Sequence, residues 1–135
     1  MKTIFSAVLM LVFFLFIGGA HAAQTCKSSI AVATPTSRFT LNGDGTVTDN
    51  TTGLMWKQCV EGLSGAGCAA GSASTMDWKA ALDHAATHSF AGYSDWRLAN
   101  IKELGSIVET ACLSPAVNLA VFPNTPSSLV WSASP

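Results

Sequence analysis

Apolar residues recur at Ile101, Leu104, Ile107 and Val108, while Lys102, Glu103 and Glu109 fall between them. This three-and-four spacing predicts a helix that buries one stripe and turns its charges to water. Asn100 stands where an N-cap belongs and Glu103, three residues on, completes a capping box, so the helix should begin at Ile101. Just ahead of it, Gly92-Tyr93-Ser94-Asp95 is turn chemistry, and Trp96 to Leu98 is a short extended run that delivers Trp96 and Arg97 beside the helix. A second helix is expected from a cap at Ser74 or Thr75 to about Ala86, because Trp78, Ala81, Leu82 and Ala85 repeat the helical spacing. Its alanines would allow close packing beneath a sheet.

That sheet is expected between Arg38 and Lys57, where short β-prone runs alternate with turn clusters. Phe39-Thr40-Leu41, Thr46-Val47-Thr48 and Leu54 to Lys57 predict a three-stranded meander. Phe39 with Leu41, and Leu54 with Trp56, share its apolar side by the two-residue period. From Cys112 to Asn124 the chain is irregular, with Pro115 and Pro123 barring a long helix, and Leu129-Val130-Trp131 begins a further strand.

The apolar run from Ile4 to Ile17, preceded by Lys2 and followed by Ala20-His21-Ala22, has the form of a signal peptide cleaved after Ala22. An exported protein is expected, periplasmic, cell-surface or secreted, with no membrane span after cleavage. Removing 22 of 135 residues leaves 113, enough for one domain with a modest core. Residues 23–37 read as an extended lead-in and 38–135 as the domain. Without Lys2, six Lys and Arg face eight Asp and Glu, a net charge of −2 with no basic run, which gives no basis for binding nucleic acid.

All four cysteines follow the cleavage site, so two disulfides are expected in an oxidising compartment. Three connectivities exist. Cys59 and Cys68 close a short loop rich in Gly, Ser and Ala, which favours their pairing and leaves Cys26 to join Cys112. Zinc binding through the cysteines lacks the close Cys pairs it needs. His84 and His88, four apart on the expected helix, are not accompanied by the glutamate of a zinc-protease helix, and no third ligand is indicated. They read as solvated or capping residues, with no metal and no cofactor expected. Asn42, Asp44 and Gly45 resemble part of a calcium loop, but its first and closing positions would be Thr40 and Thr51, so a hairpin turn is the better reading.

The blocks RFTLNGDGTVTDNTTGLMWKQC (38–59), GYSDWRLANIKEL (92–104), CLSPAVN (112–118) and VFPNTPSSLVWSASP (121–135) together resemble the C-terminal domain family of the Legionella collagen-like adhesin. The resemblance implies an α+β domain, similar to C-type-lectin-like folds, with two helices and a twisted antiparallel sheet. Two departures stand out. Ala99 replaces the family's usual proline, and the family's further strands to an Arg-Cys are absent after Pro135, so the final strands are expected to be missing. An edge left at Leu129 would recruit a second copy, making a homo-oligomer an expected partner state.

For function, the resemblance implies a secreted or surface-associated binding or adhesion module without catalytic activity. The adhesin engages sulfated polysaccharides, but the net charge of −2 favours a neutral glycan or a protein ligand. Trp56, Tyr93, Trp96 and Arg97 are the candidate ligand-binding residues, against the ordinary alternative that the aromatics are core. An inactive gene fragment is one rival reading. An enzyme related to sulfatase-modifying-factor domains is another, although no nucleophile, base and acid cluster is visible and no catalytic residue is assigned.

Overall fold

The computed structural model describes residues 23–135; the expected signal peptide at 1–22 lies outside the described residues. In chain order the elements are β1 (Thr25–Cys26), β2 (Phe39–Leu41), β3 (Thr46–Asp49), β4 (Met55–Lys57), β5 (Leu63–Ser64), β6 (Ala70–Gly71), α1 (Trp78–Thr87), α2 (Ile101–Ser106) and β7 (Cys112–Leu113). They make a mixed α+β architecture of three small antiparallel sheets and two helices.

The expected meander forms as β2-β3-β4. Leu41 pairs with Val47 and Val47 with Trp56, which places the three on one face together with Phe39. Val47 is fully buried there, and Val121 and Phe122 close over it from the irregular segment, with the Phe39 and Phe122 rings edge to face at 5.7 Å. The apolar side is narrower than the alternation implies: Leu41 is exposed, because the core closes over the Phe39 end of the strand. Opposite Phe39 lies the fully buried Asp49. Its carboxylate accepts from Arg38 Nε at 2.7 Å, from Arg38 Nη2, from the Thr51 amide and from the Thr52 hydroxyl. The Arg38 bond outweighs burial and holds the Asp49 carboxyl well below the usual carboxylate range. In the first hairpin the Asp44 carboxylate is taken up inside the turn, accepting from the Thr46 amide at 2.9 Å and the Thr46 hydroxyl at 2.6 Å. At Gly45 (φ +87°) a Cβ would come within 2.8 Å of the Phe90 ring, so this glycine lets Phe90 lie on the hairpin.

Both expected disulfides are present, Cys26–Cys112 and Cys59–Cys68, with no free cysteine. The lead-in is held by more than Cys26. β1 pairs with β7, and Gln24 donates to the Pro115 and Val117 carbonyls at 2.7 Å each. Glu109, expected to face water, is instead buried against the lead-in. α2 stops at Ser106, so the helical period that placed Glu109 outside does not reach it, and Ile101 at the other end of the expected stripe is exposed.

The start of α2 is as predicted. Asn100 Oδ1 accepts from the Lys102 and Glu103 amides at 2.9 Å, and Glu103 Oε2 accepts from the Asn100 amide at 2.9 Å. Asn100→Ala should therefore cost about 1 kcal/mol in a denaturant melt and Lys102→Ala nearly nothing. Equal losses would contradict the capping geometry.

α1 ends where expected but starts later. Its cap is Asp77, accepting from the Ala80 amide at 2.8 Å, and it ends at Thr87. Ser74 is already engaged: its amide donates to the Glu61 carbonyl at 2.8 Å, where the β5-β6 ribbon returns. Nor does α1 pack tightly beneath the meander, since none of its residues is buried. Leu129-Val130-Trp131 is not a strand and is largely exposed. The tail is tied down by indoles and backbone instead: Trp131 Nε1 donates to the Met76 carbonyl at 2.7 Å, Trp78 Nε1 to that of Ser132 at 2.8 Å, and the Ala133 amide to that of Ala99 at 2.7 Å.

Candidate functional site

The space left between α1 and β4 is a cleft of about 970 Å³. β4 supplies one wall through Trp56, α1 supplies the other through Ala81, His84 and Ala85, and the 93–99 segment and the tail complete the lining. Of the apolar stripe of α1, Ala81 and Ala85 thus face a cleft rather than a core, whereas Trp78 and Leu82 are not part of its lining.

Trp56, Tyr93, Trp96 and Arg97 all line this cleft. Their surroundings differ. Trp56 packs by one side against the core, and its indole N–H is shielded without a hydrogen-bond partner among the described residues. Trp96 is fixed by its indole donating to the Phe90 carbonyl at 3.1 Å, and it meets Phe90 and Tyr93 edge to face at 6.2 and 6.3 Å. The turn behind this grouping is the Phe90–Tyr93 bridge, with Ala91 and Gly92 both at positive φ. Tyr93 is exposed on the rim.

Arg97 is committed. Its guanidinium forms a bidentate pair with Glu103, at 2.8 and 2.6 Å, and Glu103 also caps α2. The Arg97 bond and the Asn100 amide hold the Glu103 carboxyl down at about 2. Trp96–Leu98 pairs with no strand, so this ion pair, rather than a sheet, carries the segment to the helix.

Glu61, His84 and His88 also line the cleft. His88 stacks on Phe90 at 6.2 Å and lies 5.0 Å from His84, centroid to centroid. The Glu61 carboxylate accepts from Lys57 Nζ at 2.7 Å, and that ammonium lies 4.9 Å from the centre of the Phe90 ring. Burial opposes ionisation of Glu61, but the Lys57 bond and the charges around it hold its carboxyl below the usual value. A third ligand-type residue therefore does stand beside the two histidines. Helical spacing pairs His84 with His88, but nothing in the sequence signals that the Cys59–Cys68 loop brings Glu61 to them. Trp131, Leu129 and Val130 also line the cleft, where a strand had been expected.

Of the six Lys and Arg between residues 23 and 135, Arg38, Lys57, Lys79 and Arg97 are in ion pairs with carboxylates. Only Lys27 and Lys102 are left without one among the described residues. Among those residues, too, no helix is long and apolar enough to cross a membrane. The two disulfides are consistent with an exported protein.

A sequence model described as the Lcl C-terminal domain matches residues 45–135. No curated protein and no solved structure matches the chain.

Proposed function

Since the chain belongs to the Lcl C-terminal domain family, we propose that it is an exported, non-catalytic binding module, C-type-lectin-like in fold, whose cleft takes an apolar segment of a protein partner. The observation that carries this reading is the lining itself: Leu54, Met55, Leu98, Leu129 and Val130 stand among Trp56, Trp96 and Trp131. Mixed aliphatic and aromatic walls with a few polar groups suit apolar side chains, whereas a sugar draws on aromatic faces and many hydrogen bonds. The paired cations speak against the sulfated chains of the adhesin, because the two that line the cleft, Lys57 and Arg97, are held by Glu61 and Glu103, and a polyanion there would have to break one of those pairs.

The test is a peptide-display selection run beside a neutral-glycan array with the oxidised protein. Leu129→Asp and Val130→Asp change largely exposed side chains, so they should leave the melting temperature unchanged. Each should weaken a selected peptide by about tenfold or more, by placing a charge in the apolar contact. Retention of neutral glycans alone, with binding indifferent to both substitutions, would replace the protein ligand with a sugar.

A further inference from the structure

Glu61, His84 and His88 each offer one donor atom, and these atoms all lie within 4.8 Å of one another. We infer that the three form a binding site for a borderline divalent cation, zinc(II) by donor type and number, on the wall of the cleft. The site goes beyond the proposed binding function and stands whether or not the cleft takes a protein segment.

Three observations converge on it. His84 Nε2 lies 3.4 Å from Glu61 Oε1, close to the donor–donor edge of about 3.3 Å that a tetrahedral zinc with bonds near 2.0–2.1 Å requires. The Nε2 atoms of both histidines are shielded from solvent and have no hydrogen-bond partner among the described residues, although a shielded polar nitrogen ordinarily finds one. Glu61 is also already oriented. Lys57 Nζ donates to Oε2, which leaves Oε1 as the free oxygen toward the histidines and fixes the carboxylate as a one-oxygen ligand.

The sequence supports the same geometry from the other side. Residues four apart on a helix share a face, and His88 is the C-cap of α1, so its ring can close the remaining distance by rotating without distorting the helix. Two imidazoles and a carboxylate suit zinc(II), nickel(II) or copper(II) and poorly suit calcium or magnesium. Three protein ligands leave a fourth position, and because all three residues line the cleft it opens there, to water or to a donor on a bound partner. The Lys57 charge beside Glu61 favours an anionic donor, such as a carboxylate, in that position.

The experiment is a titration of the oxidised protein, purified without a polyhistidine tag, with zinc(II) in a calorimeter and with cobalt(II) in a spectrophotometer. One equivalent should bind, cobalt should give the intense visible bands of a four-coordinate ion, and zinc should raise the melting temperature. His84→Gln and His88→Gln should each abolish the stoichiometric step. Lys57→Gln, which releases the second carboxylate oxygen, should change the affinity by about tenfold. Asp83→Asn, on the same helix but outside the trio, should leave binding unchanged. Should a histidine variant fold poorly, the ring 15N resonances of the unmodified protein decide the matter: those of His84 and His88 both move on adding zinc. Absence of a stoichiometric zinc step, or binding that moves neither ring, would overturn the site and leave His88 as a stacking partner of Phe90 with His84 beside it.

Discussion

Glu109→Ala should be among the most damaging single substitutions in the described chain, at about 3 kcal/mol, a large fraction of the stability of a domain this size. The buried carboxylate holds two distant segments together. Oε1 accepts from the Ala33 amide at 3.1 Å and the Ala111 amide at 2.9 Å, while Oε2 accepts from the Thr34 amide and the Thr34 hydroxyl at 2.8 Å each. Alanine would leave these donors unpaired inside the protein. Acid should reproduce part of the effect. Burial alone would raise the Glu109 pKa, but the Ala111, Thr34 and Ala33 amides and the Thr34 hydroxyl together bring it down to about 2 from 4.5. A folded value below the unfolded one means that the contribution is complete above about pH 4.5 and is lost as pH falls toward 2. Glu103, also held at about 2, adds a loss in the same window. Urea melts from pH 7 to pH 2 on the native chain and on Glu109→Gln should show a shallower acid slope for the variant. A Glu109→Ala loss below about 1 kcal/mol would contradict the buried-anchor reading.

The paired substitution Cys26→Ser with Cys112→Ser should cost about 4 kcal/mol, against about 2–3 kcal/mol for Cys59→Ser with Cys68→Ser. The difference follows from loop size, because the first bridge spans a sequence separation of 86 and the second only 9. The larger bridge also clamps β1 to β7, beside Lys27, whose amide donates to the Ala111 carbonyl at 2.8 Å. Losing it should therefore free the lead-in as well as lower stability. Denaturant melts of both pairs, with proteolysis to report release of residues 23–34, measure the ranking. A larger loss from the short loop would contradict it.

Local signals in the sequence were legible where the structure answers to local rules. The Asn100–Glu103 capping box, the meander with its hairpin at Asn42–Gly45 and the Cys59–Cys68 bridge each depend on pairs of residues no more than 11 positions apart. What escaped depends on contacts between distant segments. Glu109 follows the helical pattern of an exposed residue, yet α2 ends three residues before it and the chain folds it onto Thr34, 75 positions away. Ser74 has the chemistry of a cap, but the ribbon closed by Cys59–Cys68 claims its backbone and the helix waits for Asp77. Leu129-Val130-Trp131 has the composition of a strand, and the Trp131 indole, bonded to Met76, makes it a wall of the cleft. The candidate residues Trp56, Tyr93, Trp96 and Arg97 share the lining of one cleft, and their residue types are visible in sequence. Glu61 was not identified, because only the fold brings it to His84.

The central claim, that partners bind in the cleft between α1 and β4, is tested most directly by following the four indole N–H resonances as a selected peptide is added. Trp56, Trp96 and Trp131 line the cleft, whereas Trp78 donates to Ser132 and is not part of the lining. Binding in the cleft predicts saturable shifts of the first three with a smaller change at Trp78. Saturable binding that leaves Trp56, Trp96 and Trp131 unmoved would place the partner elsewhere and contradict the account.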